Sequence, residues 1–142
     1  LKNNGVSMRK TRGGHHSPRT IKIPTNPAII GYIAGLMDGE GSIVRENLNG
    51  WSRHACVRLS ICNSSPELIQ WLQTELGGHV QWRERSSSLS TKPCANWRIG
   101  GYMDVYLLLR LILPYLRIPK KIAQAKEALA FVEARLKVHS RI

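Results

Sequence analysis

The stretch that most constrains this chain is residues 31–42, GYIAGLMDGEGS, a few residues after Pro27. A run of about ten helix-compatible residues leads into two acids interleaved with glycines, and polar and apolar residues alternate after it, as in a strand. Pro27 is well placed to open this helix, because the first helical position needs no N–H. We therefore expect a helix that leads directly into the first strand of a sheet.

The two acids, Asp38 and Glu40, stand at the predicted helix C-terminus. The negative end of the helix dipole disfavours a carboxylate there by roughly 0.3–1 kcal/mol, so selection for stability alone would rarely place acids at this end. Gly39 and Gly41 allow a positive φ and a close backbone approach at the turn into the strand. The pattern indicates a functional role for Asp38 or Glu40, and a buried helix that ends at glycine is the alternative interpretation.

Residues 33–41, IAGLMDGEG, resemble the signature motif of the LAGLIDADG homing endonucleases, with Gly39 and Glu40 where the name motif has Ala and Asp. In that family the motif helix lies between two αββαββα units, and its last acid binds the catalytic metal ion. The resemblance implies an α+β fold of this order, with an antiparallel DNA-binding sheet and an extra C-terminal helix. It implies Glu40 as a metal ligand, and the carbonyl groups of Gly39 and Gly41 as further candidates.

Small residues predict a helix–helix interface on the same segment. Gly31 and Gly35 lie four residues apart, which lets a second helix approach closely. The resemblance adds Ala34 and Asp38 to this interface, and Asp38 takes the place of the family's more structural acid. The chain contains a single copy of the motif, so a symmetric homodimer is implied. Its twofold axis predicts a pseudo-palindromic DNA target.

The rest of the chain predicts the order helix, hairpin, helix, hairpin, helix, helix. Strands are expected at about 42–49 and 53–62, joined at the turn signal Asn49-Gly50, and at about 79–85 and 95–100. Further helices are expected from Ser65-Pro66 to Gly77, at about 102–113, and from Pro119 to about 138. We expect residues 1–25 to form a basic, flexible arm and residues 26–142 to form one domain.

The charge of the chain indicates its partner. A net charge of +12 and a pI of about 10.3 favour nucleic acid over a membrane surface. No apolar run reaches the ~18 residues of a membrane span. Arg and Asn at alternate strand positions suit the reading of guanine and adenine in the major groove, although a solvated sheet face is the alternative. The predicted contacts to double-stranded DNA are Glu46, His54, Arg58, Ser60, Arg83, Arg85, Asn96 and Arg98.

The predicted reaction is hydrolysis of phosphodiester bonds. Carboxylates that converge at the dimer axis would hold a divalent cation such as Mg²⁺, and Ca²⁺ could support binding without cleavage. The resemblance implies that a polar residue after the second strand helps to order water, and Asn63 is the nearest counterpart. It also implies a lysine near the start of the last helix. Pro119 stands at that place, so Lys120 or Lys121 would have to substitute.

Three function classes stay open. They are a site-specific DNA endonuclease encoded by a mobile intron, an RNA maturase that acts on intron RNA, and a DNA-binding regulator that has lost cleavage. Retention of an acid at position 40, as Glu40, favours the DNA endonuclease over the regulator that has lost cleavage. No signal peptide is evident, so we expect an intracellular protein. Arginine outnumbers lysine and phenylalanine occurs once, which favours a bacterial, phage, archaeal or chloroplast origin over a fungal mitochondrion.

Overall fold

A four-stranded antiparallel sheet carries the helices on one of its faces in the computed structural model, which describes residues 21–47, 55–83 and 93–140. The elements are α1 (Pro27–Glu40), β1 (Gly41–Asn47), β2 (Ala55–Asn63), α2 (Pro66–Leu76), β3 (His79–Arg83), β4 (Cys94–Ile99), α3 (Tyr102–Ile112), a 3₁₀ turn (Leu113–Tyr115) and α4 (Pro119–Ser140). This is the predicted αββαββα order with one further helix. The turn signal Asn49-Gly50 lies outside the described residues.

The sheet has the strand order β1-β2-β4-β3, so β2 and β4 are its central strands. The alternation predicted for β2 is confirmed, because Val57, Leu59 and Ile61 are fully buried while the residues between them are not. In β4 the buried positions are Ala95, Trp97 and Ile99. Helices α1, α2 and α3 pack on this apolar face, and the described residues leave the other face uncovered.

Pairing with β2 settles the orientation of β1, which the sequence pattern had left open. Ile43 pairs with Leu59 and is buried in the core. Arg45 follows on the same face but is 49% exposed, with its guanidinium 5.3 Å from the ring centre of Phe131 and 3.7 Å from Glu127. An arginine stem can cover apolar surface while its charged end stays hydrated, so Arg45 closes the edge of the core.

Helix α1 passes into β1 without a loop. Asn26 caps its start, since its side-chain oxygen accepts a hydrogen bond from the N–H of Ala28 at 2.9 Å. At its end Gly41 has an extended backbone with φ −84°, so the positive φ expected here is not used. A Cβ at Gly41 would instead lie 2.7 Å from the Cα of Met37. The residue must be glycine because the strand leaves within contact distance of the last helical turn.

Positive φ occurs, in the residues that the structure describes, at Gly77 and Gly78 after α2. The carbonyl of Gly77 accepts a hydrogen bond from the indole N–H of Trp97 at 2.7 Å. A Cβ at Gly78 would lie 2.8 Å from that indole nitrogen. This turn therefore combines a backbone conformation and a close approach that both favour glycine.

The folded body begins before the predicted boundary at residue 26. Ile21 is 4% exposed, and its N–H lies 3.4 Å from a carboxylate oxygen of the buried Asp104. The N–H of Lys22 donates to the carbonyl of Leu76 at 2.8 Å, at the end of α2. These two residues thus belong to the body, whereas residues 1–20 lie outside the described part of the chain. No helix of the described ranges is long and apolar enough to cross a bilayer.

Candidate functional site

Glu40 and Asn63 meet where α1 ends and β2 ends. Glu40 is the exposed last residue of α1. Gly41 pairs with Ile61, so β2 runs two residues past the start of β1 and brings Asn63 to the end of the helix. The Nδ2 of Asn63 donates to Oε2 of Glu40 at 2.6 Å. The two residues predicted to share a site are therefore in direct contact.

Both polar atoms of the Asn63 side-chain amide, Nδ2 and Oδ1, are hydrogen-bonded. Its Oδ1 accepts a hydrogen bond from the N–H of Ser65 at 2.7 Å, in the turn between β2 and α2. Ser65 in turn caps α2, since its Oγ accepts from the N–H of Leu68 at 3.4 Å. With the oxygen occupied by the turn, the amide N–H₂ group must point toward Glu40. The side chain thus orients the carboxylate from a rigid position.

Lys121, of the two candidate lysines, is the one that reaches this site. Its Nζ donates to the carbonyl of Gly41, the residue that follows Glu40. Lys120 is exposed on the first turn of α4. Neighbouring positions on a helix are rotated by about 100°, so the two lysines cannot both point at one site. The charged partner near Glu40 is therefore Lys121, two positions after Pro119.

Asp38 points to a different part of the chain from Glu40. One of its carboxylate oxygens accepts from the N–H of Arg117 at 2.8 Å, and the other lies 3.3 Å from the N–H of Ile118. These residues immediately precede α4, so Asp38 joins the end of α1 to the beginning of α4. This agrees with a structural role for the acid.

One side of α1 is largely uncovered by the residues that the structure describes. Tyr32 is 52% exposed. A Cβ at Gly35 or Gly39 would meet nothing within 4 Å, and one at Gly31 would lie 3.9 Å from the ring of Tyr115. This outer face of α1 suits close packing against another helix.

The assignment of Ala34 to that face is corrected by the structure. Ala34 is fully buried, on the inner stripe of α1 with Ile30, Ile33 and Met37. Positions 30, 33, 34 and 37 have the i, i+3, i+4, i+7 spacing of one helix face, and this face packs on the chain's own core.

The uncovered side of the sheet, here called the open face, carries the predicted DNA contacts. Its described side chains are Ser42, Val44, Cys56, Arg58, Ser60, Cys62, His79, Gln81, Cys94, Asn96 and Arg98. Ser60 pairs with Arg98, and Cys62 pairs with Asn96. Four of the predicted contacts thus lie on the two central strands, namely Arg58 and Ser60 in β2 and Asn96 and Arg98 in β4.

The remaining predicted contacts are only partly described. Backbone pairing of Arg83 with Cys94 and of Glu46 with Cys56 places both residues on the open face, while their side chains lie outside the described part. His54 and Arg85 lie outside it altogether.

His79 and Gln81 belong to the open face but were absent from the predicted set. His79 pairs with Arg98 and Gln81 pairs with Asn96, so each extends a polar row onto the edge strand β3. The signal was present in the sequence, because positions 79 and 81 alternate with their neighbours in the same way as Arg83 and therefore lie on the same face of the strand. Gln can read adenine as Asn does, and Val44, also on this face, offers an apolar contact for a thymine methyl group.

The donor atoms at the end of α1 are hard oxygens. They are the Glu40 carboxylate and the carbonyl groups of Gly39 and Gly41, of which the Gly41 carbonyl already accepts a hydrogen bond from Lys121. Such oxygens suit Mg²⁺ or Ca²⁺ better than softer metals. Within the described residues no three His, Cys, Asp or Glu side chains come together as a complete metal site.

Comparison with known proteins rests on three-dimensional structure. No family model and no curated protein matches the chain. The homing endonuclease I-CvuI in complex with its target is similar, with a TM-score of 0.60 and 24% identity over 75% of this chain and 66% of that one. The archaeal intron-encoded I-Vdi141I, complexed with DNA, gives 0.55 and 14% over 75% and 70%. The LAGLIDADG meganuclease I-CpaMI, bound to uncleaved DNA, gives 0.55 and 19% over 79% and 39%.

The chain spans slightly less than two thirds of I-CvuI and about two fifths of I-CpaMI. The described elements, their order and the antiparallel sheet agree with this likeness. The chain thus has the fold of the LAGLIDADG homing endonucleases.

Proposed function

We propose that this chain is a site-specific endonuclease that hydrolyses phosphodiester bonds in double-stranded DNA as a homodimer. The observation that carries the proposal is the contact between Glu40 and Asn63 at 2.6 Å, at the end of the open face. An oriented carboxylate at the border of a surface rich in Arg and amide side chains suits a reaction on a DNA backbone. The structures of I-CvuI and I-Vdi141I with DNA support the assignment.

The uncovered face of α1 and its end at Glu40 support the homodimer. Each copy brings one Glu40 to the site, and its Asp38 carboxylate is already engaged by Arg117 and Ile118. The outer face of α1, with Gly35 and Gly39 open, ends at Glu40. A twofold axis along this face would bring two Glu40 carboxylates together and make the target pseudo-palindromic.

The length of the sheet sets the length of the target. β2 contains 9 residues, and the steps between them, at about 3.3 Å each, extend over roughly 26 Å. B-DNA rises about 3.4 Å per base pair, so one open face covers roughly eight base pairs. Two copies would then recognise a site of roughly sixteen base pairs or more, a length that can be rare in a genome.

The residues at the site have separable roles. A bound divalent cation would supply a polarised water and offset charge on the phosphate. Glu40 would provide the carboxylate ligand, and Asn63 would keep that carboxylate in one orientation. Lys121 would place a positive charge next to Glu40. Arg58 and Arg98 on the open face would contact bases or phosphates.

The Glu40–Asn63 contact also bears on the alternatives. A regulator that only binds DNA has no need for an exposed carboxylate beside the phosphates, where its charge opposes binding. An intron-RNA maturase would use the same basic surface without Glu40.

Selection from a randomised duplex pool tests the proposal. Binding would be selected in Ca²⁺ and the bound fraction transferred to Mg²⁺, with Glu40→Gln as the matched control. We expect a pseudo-palindrome that the chain cuts on both strands and that the control binds but does not cut. Recovery without cutting would favour the regulator. If no DNA is recovered, the maturase becomes the better assignment.

A further inference from the structure

We infer that Asp38 is a positioning residue for the proposed reaction, acting through Lys121, and this inference rests on the proposed function. Asp38 lies on α1 and Lys121 on α4, and their described hydrogen bonds go to other residues. They are connected through the first turn of α4.

The end of α1 holds the segment that leads into α4. Ile118 directly precedes Pro119, and its carbonyl accepts the N–H of Ile122 at 2.9 Å as the first bond of the helix. A residue at this position normally caps the helix with a polar side chain, which isoleucine lacks. Asp38 does not replace that cap but accepts the N–H groups of Arg117 and Ile118, the two residues before the helix, at 2.8 and 3.3 Å, and so anchors the start of α4 to the end of α1.

The position of Asp38 between two helix ends also has an electrostatic consequence. A carboxylate at the C-terminus of α1 is disfavoured by the dipole of its own helix, but it is favoured at the N-terminus of α4. Asp38 lies near the C-terminus of α1, and its carboxylate lies next to the N-terminus of α4. The unfavourable position in α1 is thus offset by the contact with α4. Two bonds to successive N–H groups fix both the distance and the rotation of α4 relative to the end of α1.

Lys121 lies in the first turn of α4. Its partly buried ammonium group reaches the carbonyl of Gly41, beside Glu40. A rotation of α4 by one residue, about 100°, would direct it elsewhere. A cation aimed at the place where charge develops is effective only when it is held in position. Asp38 therefore determines whether Lys121 stands at the site.

The test is a double-mutant cycle on single-turnover DNA cleavage, with duplex binding measured in Ca²⁺ alongside. Asp38→Asn and Lys121→Met should each slow cleavage by roughly tenfold to a hundredfold, with little change in binding. Lys121→Met combined with Asp38→Asn should be no slower than Lys121→Met alone. The control is Lys120→Met, in which the full effect of Asp38→Asn should persist. Independent, multiplying effects of Asp38→Asn and Lys121→Met would overturn the inference.

A second readout needs no DNA. Limited acylation of the folded protein should label Lys121 more slowly than Lys120, and Asp38→Asn should raise Lys121 labelling toward the Lys120 level while the melting curve stays cooperative. Unchanged Lys121 labelling in that variant would refute the link even if the wild type cuts no DNA. A wild type that cuts no DNA refutes the proposed function alone. If Asp38→Asn fails to fold, Asp38→Glu replaces it in both measurements, because its extra methylene displaces both acceptor oxygens while the charge is kept, and the same changes are expected.

Discussion

Substitution of Gly35 by alanine should separate the folding of one chain from the pairing of two. Gly35 lies inside α1, and a Cβ built there meets nothing within 4 Å. Alanine is favoured over glycine inside a helix by about 1 kcal/mol, and no steric cost opposes that gain in one copy. The variant monomer should therefore be more stable than the wild type by up to about 1 kcal/mol, which corresponds to roughly 4 °C in melting temperature.

The dimer should respond in the opposite direction. Under twofold symmetry each substitution occurs twice in the interface. Overpacking costs about 1–3 kcal/mol per site, so the two sites together should weaken the dimer by roughly 2–6 kcal/mol. The lower bound alone raises the dissociation constant about 30-fold. Gly35→Leu should abolish the dimer.

The assay combines sedimentation velocity over a concentration series with thermal melting in the dilute range, where the wild type is monomeric, because dimerisation itself raises the melting temperature. Gly41→Ala is the matched control. Its Cβ would lie 2.7 Å from the Met37 backbone, so it should destabilise the monomer. If Gly35→Ala pairs as tightly as the wild type, the interface does not use this face of α1. If it lowers the monomer's melting temperature, the surroundings of Gly35 are not open.

Three further substitutions test the site, the open face and the fold. Asn63→Asp keeps the acceptor for Ser65 but replaces the donor to Glu40 with a second negative charge, so cleavage in Mg²⁺ should fall while the melting temperature changes little. Arg98→Ala, at the centre of the open face, should relax base preference at particular positions by about 1–3 kcal/mol, whereas a uniform loss across sequences would mean that Arg98 contacts phosphate only. Gly78→Ala should destabilise the fold by about 1–3 kcal/mol in urea unfolding, because its φ is +87° and a Cβ would lie 2.8 Å from the Trp97 indole; an unchanged midpoint would contradict this account of the turn.

The sequence predicted the element order well because each boundary carries its own local signal. Asn26 with Pro27, and Ser65 with Pro66, are cap and first-turn pairs that specify helix starts without tertiary information. Gly77 ends α2 in the expected place. The polar and apolar faces of β2 followed from simple alternation.

The features that the sequence did not determine depend on pairing between elements. In β1 both faces are mixed, since Arg45 shares the core face with Ile43 and Val44 shares the open face with Ser42. Only the register with β2 distinguishes them. The choice between Lys120 and Lys121 likewise depends on the rotation of α4, which a contact with a residue 79 positions away in the chain helps to set.

Asp38 and Glu40 both lie at the end of α1 but have different partners, and this difference explains why Glu40 marks a site. Positions 38 and 40 are separated by about 200° around a helix, so their side chains cannot share a partner. Asp38 finds its compensation within the chain, at the N-terminus of α4. The Glu40 carboxylate is hydrogen-bonded by the neutral amide of Asn63 and stays exposed at the unfavourable end of the dipole, while the nearby Lys121 donates to the carbonyl of Gly41. A carboxylate that the fold holds in one orientation, and that stays exposed, is available to a ligand from outside. Under the proposed function this ligand would be a hard divalent cation, bound together with the Glu40 of a second copy.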